Sequence, residues 1–246
     1  MENQQTGTLF LIPNVLGDTA PLEVIPMSAK KNIEELRHFV FEKEKAGRVF
    51  VKRIAPTVPQ DKIAVFLLNK FTETDELQEM IRVLVEGNDL GLISDAGCPG
   101  IADPGANLVS LAHQYGVRVV PLVGPSSILM ALMASGLNGQ SFAFNGYLPI
   151  DKNERKKAIK AFEKKSIELQ QTQVFIETPY RNNELLKELS RSLRPKTLLS
   201  VACDITLPTE FIKTKTAEEW QDNKEDLHKR PSVFSILKTS DFGYTF

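Results

Sequence analysis

The segment Leu92-Ile-Ser-Asp-Ala-Gly-Cys-Pro-Gly-Ile-Ala-Asp-Pro-Gly105 decides the fold of this 246-residue chain. It begins inside a buried-type strand at residues 90–94, and a helix with one apolar face follows from about Pro104. Its glycines and prolines predict a rigid loop whose backbone can approach a ligand closely. Asp103 is suited to cap the helix, with Pro104 in the first turn, but a cap does not explain residues 96–100. The segment therefore predicts a ligand-binding loop at the carboxyl end of a strand.

Strands and helices alternate on both sides of this loop. Residues 9–12 and 117–123 are predicted strands, and residues 77–85 carry apolar side chains at helical spacing. A further helix is predicted through Ile33, Leu36 and Val40, followed by a strand at residues 49–51. This βαβαβ order is typical of an α/β domain with a largely parallel sheet.

Strands and helices also alternate in the second half of the chain. Helices are predicted at residues 126–134 and 152–165 and around residues 185–193, and strands at residues 142–144, 174–176, 198–202, near 211 and 233–237. We therefore predict two α/β domains, an N-terminal one at residues 1–122 and a C-terminal one at residues 123–246.

Composition narrows the class of protein. The formal net charge of −1 predicts no global attraction to a polyanion, so any nucleic-acid contact needs a local basic patch. Two cysteines without a secretory signal favour a reducing, cytoplasmic location. The longest apolar stretches are too short to span a bilayer, and no metal-binding motif occurs. We expect no membrane and no metal partner.

Two other loops follow predicted strands. Residues 11–18 read Leu-Ile-Pro-Asn-Val-Leu-Gly-Asp, which also fits an ordinary turn between a strand and a helix. Residues 124–127 read Gly-Pro-Ser-Ser, where a serine can cap the next helix or meet a ligand. Neither serine lies in a Gly-x-Ser-x-Gly motif, which argues against a serine hydrolase.

These three loops, with residues 144–149 and 175–181 downstream, resemble in order the tetrapyrrole methylase superfamily, the class III S-adenosylmethionine-dependent methyltransferases. The middle loop is most similar to the branch that methylates a cytidine 2′-hydroxyl of small-subunit ribosomal RNA. The resemblance implies two α/β domains with the cofactor in the cleft between them, and a homodimer acting in rRNA processing. It also implies S-adenosyl-L-methionine contacts at Leu16, Gly97, Cys98, Ile101, Ala102, Ser126, Ser127, Tyr180, Ala202 and Ser232.

The chain departs from that branch at three places. Residues 41–48 keep an acid and an arginine but not the Glu-Asp-Thr-Arg pattern, and residues 201–206 lack the expected arginine. The chain ends soon after its last predicted strand, without the branch's additional C-terminal region. Two alternatives therefore stay open: a methylase of a small molecule such as a tetrapyrrole, and a cofactor-binding protein without catalytic activity.

Catalysis by such an enzyme mainly requires alignment, because the sulfonium methyl group is already activated. Glu177 is the candidate base for a ribose hydroxyl, and Arg181 the candidate group for positioning an anionic acceptor. An ion pair without catalytic function is the alternative for both. Cys98 permits a nucleophile hypothesis, which the lack of a histidine partner disfavours.

A local basic patch is predicted on the helix at residues 152–165. Residues 151–165 contain seven Lys or Arg and three Asp or Glu. Arg155, Lys156 and Lys157 are the candidate RNA contacts. The alternative is a solvated helix face, which is what a charged run usually forms.

Overall fold

The structure is a computed structural model that describes residues 6–238. The chain divides into two compact units between Ser126 and Ser127. The sequence predicts a boundary at residue 122, but the segment after it packs with the first unit. A side chain on Gly124 would meet Pro13, and the Cys98 thiol donates a hydrogen bond to the carbonyl oxygen of Pro125.

The first unit is a five-stranded sheet with helices between its strands. Strand order is β3-β2-β4-β1-β5, and every neighbouring pair is parallel, as predicted. The elements are β1 (Thr8–Ile12), α1 (Pro21–Val24), α2 (Met27–Glu35), β2 (His38–Phe41), α3 (Glu44–Ile54), β3 (Ala64–Leu67), α4 (Thr74–Val85), β4 (Leu90–Ile93), α5 (Gly105–Gln114) and β5 (Arg118–Pro121).

The structure corrects two sequence predictions in this unit. Residues 49–51 belong to α3, and Val40 lies in β2 instead of the preceding helix. Gly47, Phe50, Val51 and Ile54 are buried at helical spacing, so the apolar run 49–51 is part of a helix face. The Phe41 ring fills the space that a side chain at residue 47 would occupy. Because Gly47 has no side chain, α3 can lie close to the sheet.

The second unit contains a mixed sheet of order β6-β7-β10-β8-β9. Strands β6 and β7 pair in parallel, and the other neighbouring strands are antiparallel. The elements are α6 (Ser127–Ser135), β6 (Phe142–Tyr147), α7 (Lys152–Glu168), β7 (Thr172–Ile176), a 3₁₀ helix (Pro179–Arg181), α8 (Asn182–Ser192), β8 (Leu198–Cys203), β9 (Phe211–Thr216), a second 3₁₀ helix (Glu219–Asp222) and β10 (Ser232–Leu237).

Helices α7 and α8 form one layer of the second unit. Ile159 of α7 and Leu189 of α8 belong to the same buried cluster as Phe175 of β7 and Phe234 of β10. Alternate residues of a strand point to opposite faces, so these contacts put both helices over one face of the sheet. Helix α6 packs against β8, β9 and β10.

Candidate functional site

Three of the predicted loops lie at one edge of the first unit's sheet. They follow β1, β4 and β5, which are neighbours in the order β4-β1-β5 and run in parallel. Parallel strands present their carboxyl ends at the same edge, which is where open α/β sheets bind ligands. The fold therefore brings together loops that are distant in the sequence.

Asn14 joins the first loop to the second. Its backbone N–H donates to the carbonyl oxygen of Gly97 at 2.9 Å, and the Gly97 N–H donates back at 3.2 Å. The buried Asn14 side-chain amide donates to the carbonyl oxygens of Ser94 at 3.0 Å and Asp95 at 3.2 Å. These four hydrogen bonds hold the two loops as one body, and no sequence pattern singles out Asn14.

The loop at residues 94–105 has an unusual backbone. Gly97, Gly100 and Ala102 have φ values of 67°, 78° and 60°, in the left-handed region that suits glycine and strains alanine. The carboxylate of Asp103 accepts hydrogen bonds from the N–H groups of Gly100 at 2.6 Å and Gly105 at 2.9 Å. Helix α5 begins at Gly105, so Asp103 ties the loop to the first N–H of the helix.

Burial changes the acid–base behaviour of two groups in this loop. It raises the pKa of the Asp103 carboxyl, while the hydrogen bonds from Gly105 and Gly100 act in the opposite direction. Burial, and second the charge of Asp103, raise the pKa of the Cys98 thiol. A raised pKa disfavours the thiolate at neutral pH, which argues against the nucleophile hypothesis for Cys98.

A second anchor reaches the same loop from the start of α3. Lys43 forms an ion pair with Asp95, and the Asp95 N–H donates to the Glu42 carboxylate at 3.5 Å. Burial first, and the charge of Asp95 second, raise the pKa of Glu42. This anchor lies where the sequence departs from the expected Glu-Asp-Thr-Arg pattern. Glu42 and Lys43 directly follow β2, and that position could have indicated the anchor. The sequence pattern does not predict β2, so the anchor was not expected.

A cavity of about 270 Å³ opens between the first loop and α3. Its walls include Leu16, Val49 and Phe50, with Arg53 and Asp95 as charged members. The Arg53 guanidinium donates to the carbonyl oxygen of Thr19 at 2.8 Å. Apolar walls with a few oriented polar groups are typical of small-ligand sites.

The predicted cofactor contacts of the first unit all lie in these loops. Ile101 and Ala102 are exposed; Leu16, Cys98 and Ser126 are half-buried; Gly97 is buried. A side chain on Gly97 would lie 3.3 Å from the Leu16 side chain and 3.7 Å from the carbonyl oxygen of Pro125. A glycine here lets all three loops approach one another.

The predicted catalytic pair lies in the second unit, where β7 ends. Glu177 is 5% exposed and its Oε1 accepts hydrogen bonds from Arg181 Nη2 at 2.5 Å and from the Thr178 N–H at 2.6 Å. The buried Arg181 Nε has no hydrogen-bond partner within residues 6–238. The carboxylate is thus held in place, while the side chain of Arg181 is 30% exposed.

The other second-unit residues differ in accessibility. Tyr180 is exposed, its ring contacts His228 edge-on, and the Lys229 ammonium lies 5.8 Å from the ring centroid. Ser127 begins α6 and is half-buried. Ala202 and Ser232 are buried in β8 and β10, so their side chains offer little surface to a ligand.

Near Ala202, where the sequence lacks the expected arginine, Asp204 pairs with an arginine from a later segment of the chain. Arg230 Nε donates to the Asp204 carboxylate at 2.7 Å, and the Ser232 hydroxyl donates to the carbonyl oxygen of Arg230. Sequence spacing could not show this, because Arg230 precedes the neighbouring strand β10.

The structure corrects the predicted basic patch. Arg155 is 7% exposed, and its Nε donates to Glu188 of α8 at 2.7 Å. Its Nη1 donates to the carbonyl oxygen of Ile150 at 2.8 Å. Arg155 therefore joins α7 to α8, and its prediction as an RNA contact is wrong. Lys156 and Lys157 are exposed.

Two classes of feature are absent from residues 6–238. Nothing there groups three or more His, Cys, Asp or Glu side chains as a metal site would. Of the helices in that range, none is long and apolar enough to cross a membrane.

Comparisons with known proteins agree on one family. The model of the tetrapyrrole (corrin/porphyrin) methylases matches residues 17–221. Ribosomal RNA small subunit methyltransferase I of Vibrio cholerae is 37% identical over 96% of this chain and 78% of the relative. The same enzyme of Escherichia coli O157:H7 is 30% identical over 96% and 78%. The solved structure of the methyltransferase CobJ has a TM-score of 0.61 at 16% identity, covering 94% of this chain and 93% of CobJ.

Proposed function

Because this chain belongs to the tetrapyrrole methylase family of S-adenosylmethionine-dependent methyltransferases, we propose that it methylates RNA of the small ribosomal subunit. The observation that carries the proposal is the 37% identity to a small-subunit RNA methyltransferase over 96% of the chain. The proposed acceptor is a ribose 2′-hydroxyl, as the sequence resemblance implies.

S-adenosylmethionine is proposed to contact the three joined loops of the first unit. Gly97 and Gly100 have left-handed backbones without side chains, and Ile101 and Ala102 are exposed. This arrangement suits a ligand held largely by backbone groups. Leu16, Cys98 and Ser126 complete the proposed first-unit contacts. Ser127, Tyr180, Ala202 and Ser232 stay predictions, and the side chains of Ala202 and Ser232 are buried.

When bound, S-adenosylmethionine would supply an activated methyl group to the acceptor oxygen, with S-adenosylhomocysteine as the leaving group, and the acceptor hydroxyl would have to lose its proton. Glu177 is proposed to receive that proton, and Arg181 to position the anionic acceptor. The ion pair between them supports the second role, because Glu177 fixes the direction of the half-buried Arg181 guanidinium. A Glu177→Gln variant that binds cofactor normally but loses turnover would support the role of Glu177 as base.

We further propose a homodimer that acts in the cytoplasm, where ribosomal RNA is processed. Lys156 and Lys157 remain proposed RNA contacts, because both are exposed on α7. Size-exclusion chromatography with light scattering tests the dimer; a monomer at micromolar concentration would contradict it.

Methyl transfer can be tested directly with purified protein. Small ribosomal subunits from a strain lacking the gene are incubated with methyl-labelled S-adenosylmethionine, and subunits from the parent strain serve as the matched control. The proposal expects label in small-subunit RNA of the deletion strain only, at a position resistant to alkaline cleavage. Failure of S-adenosylhomocysteine to bind in calorimetry would overturn methyl transfer as a whole. Binding without RNA labelling would favour a tetrapyrrole acceptor or an inactive cofactor-binding protein.

A further inference from the structure

Helix α7 exposes a ridge of lysines on the second unit. Lys156, Lys160 and Lys164 recur every four residues and are exposed, which puts them on one side of the helix. Lys157 is also exposed. The exposed acids of the helix are Glu154 and Glu168, and Glu168 pairs with Lys164 at 3.6 Å. Positive charge therefore dominates the exposed side of α7.

Helix α8 continues this positive surface. Lys187 and Arg191 are exposed four residues apart, so they form a second short ridge. Both helices cover the same face of the sheet, and the buried Arg155–Glu188 ion pair joins them. Within the described chain, Lys156, Lys160, Lys187 and Arg191 make no ion pair with an acid. Their charges are thus directed to solvent from one rigid layer.

Acidic groups limit this surface without covering it. Glu184 is exposed on α8, and Glu188 is compensated by Arg155. Lys187 and Arg191 also line a groove of about 540 Å³, whose other lining residues include the acids Asp222, Glu225 and Asp226. These acids would repel a polyanion, so they bound the strip of cations on its α8 side.

We propose that this strip, formed by Lys156, Lys157, Lys160, Lys164, Lys187 and Arg191, binds the phosphates of the RNA substrate. The inference rests on the proposed function, and it adds α8 as part of the RNA-binding surface. The chain's formal net charge is −1, so its attraction to RNA must arise from such a local patch. Lysines on rigid helices neutralise phosphates and release counterions, which makes the affinity fall with salt concentration.

The test measures RNA affinity at several salt concentrations for three double variants. K187E/R191E changes α8, K156E/K160E changes α7, and K31E/K62E changes two exposed lysines of the first unit as a matched control. Small-subunit RNA is the probe, and S-adenosylhomocysteine binding checks that each variant is folded. Each phosphate that a variant no longer neutralises should reduce the slope of log affinity against log salt by about 0.7. The α7 and α8 variants should therefore each reduce the slope by about 1.4, twice that value, and the control should keep its slope.

The outcomes separate the two proposals. If the wild type methylates RNA but K187E/R191E keeps the wild-type slope, the role of α8 is overturned and the proposed function stands. If the wild type neither binds nor methylates small-subunit RNA, both proposals fail. Binding to vesicles that contain anionic lipid is measured in parallel. If the protein binds these vesicles and the RNA slope is unchanged in every variant, the strip is a membrane contact and the inference is overturned.

Discussion

Asn14 and Gly97 form an antiparallel bridge of two backbone hydrogen bonds, 2.9 and 3.2 Å long, between loops that follow different strands. The Asn14 side chain adds two bonds to the same loop, at the carbonyl oxygens of Ser94 and Asp95. The glycine-rich loop is therefore positioned by a buried side chain from the first strand's turn, as well as by its own glycines.

Replacing Asn14 with aspartate should weaken cofactor binding. The variant keeps the shape but removes both donors and places a carboxylate against two carbonyl oxygens. Leaving buried polar groups unpaired costs about 1–3 kcal/mol, so affinity for S-adenosylhomocysteine should fall roughly tenfold. Calorimetry measures the affinity, and Asn107→Asp on the exposed side of α5 is the matched control. Unchanged affinity in N14D would show that the loop keeps its position without Asn14.

Replacing Arg155 with alanine should destabilise the protein and leave RNA binding intact. Removing one partner of a buried ion pair leaves an uncompensated charge at Glu188 and costs about 3 kcal/mol. Thermal or denaturant unfolding measures the loss, and the exposed Lys156→Ala should change stability by less than about 0.5 kcal/mol. An R155A protein as stable as the wild type would mean that α7 and α8 do not depend on this pair.

Glu42 should make the protein less stable as the pH rises. Its pKa is raised in the folded state above the ordinary value of 4.5, chiefly by burial. The folded state then binds more protons at Glu42 than the unfolded state, so the contribution of Glu42 to stability is most favourable below pH 4.5 and is lost as pH rises through the raised pKa. Glu42→Gln should remove this loss, raising the melting temperature at pH 7 and flattening its pH dependence above pH 4.5 relative to the wild type.

Glu86→Gln at an exposed position is the control for that measurement. If E42Q and E86Q have the same pH profile as the wild type, the raised pKa of Glu42 has no thermodynamic consequence.

Cys98→Ser should leave methyl transfer largely intact. The thiol is half-buried, its pKa is raised by burial and by Asp103, and its Sγ donates to the carbonyl oxygen of Pro125 at 3.5 Å, a bond that serine can make. The measurement is the initial rate of methyl transfer, together with the rate of iodoacetamide labelling of wild-type Cys98. A large loss of turnover with normal cofactor binding would restore the nucleophile hypothesis.

The sequence by itself determined the strands of the first unit that carry the glycine-rich loops, the parallel sheet and the family. These depend on short-range patterns: an apolar run, a turn and a helical period that occur together within about twenty residues. The Val-Phe-Val run of α3 fits both a strand and a helix. A window of three residues cannot distinguish a strand from the buried face of a helix.

Only the tertiary structure decided which side chains hold the candidate site's loops in place and which join helices and strands to one another. Asn14 meets Ser94 across 80 residues, Arg230 reaches Asp204, and Arg155 turns inward to Glu188 although it lies in a run of lysines. Sequence charge cannot tell an arginine that joins two helices from one that faces solvent, because that depends on what packs opposite it. The glycine-rich loop at residues 94–105 is thus recognisable in the sequence, but the bonds that join it to the loop after β1 come from Asn14, which no local pattern connects to it.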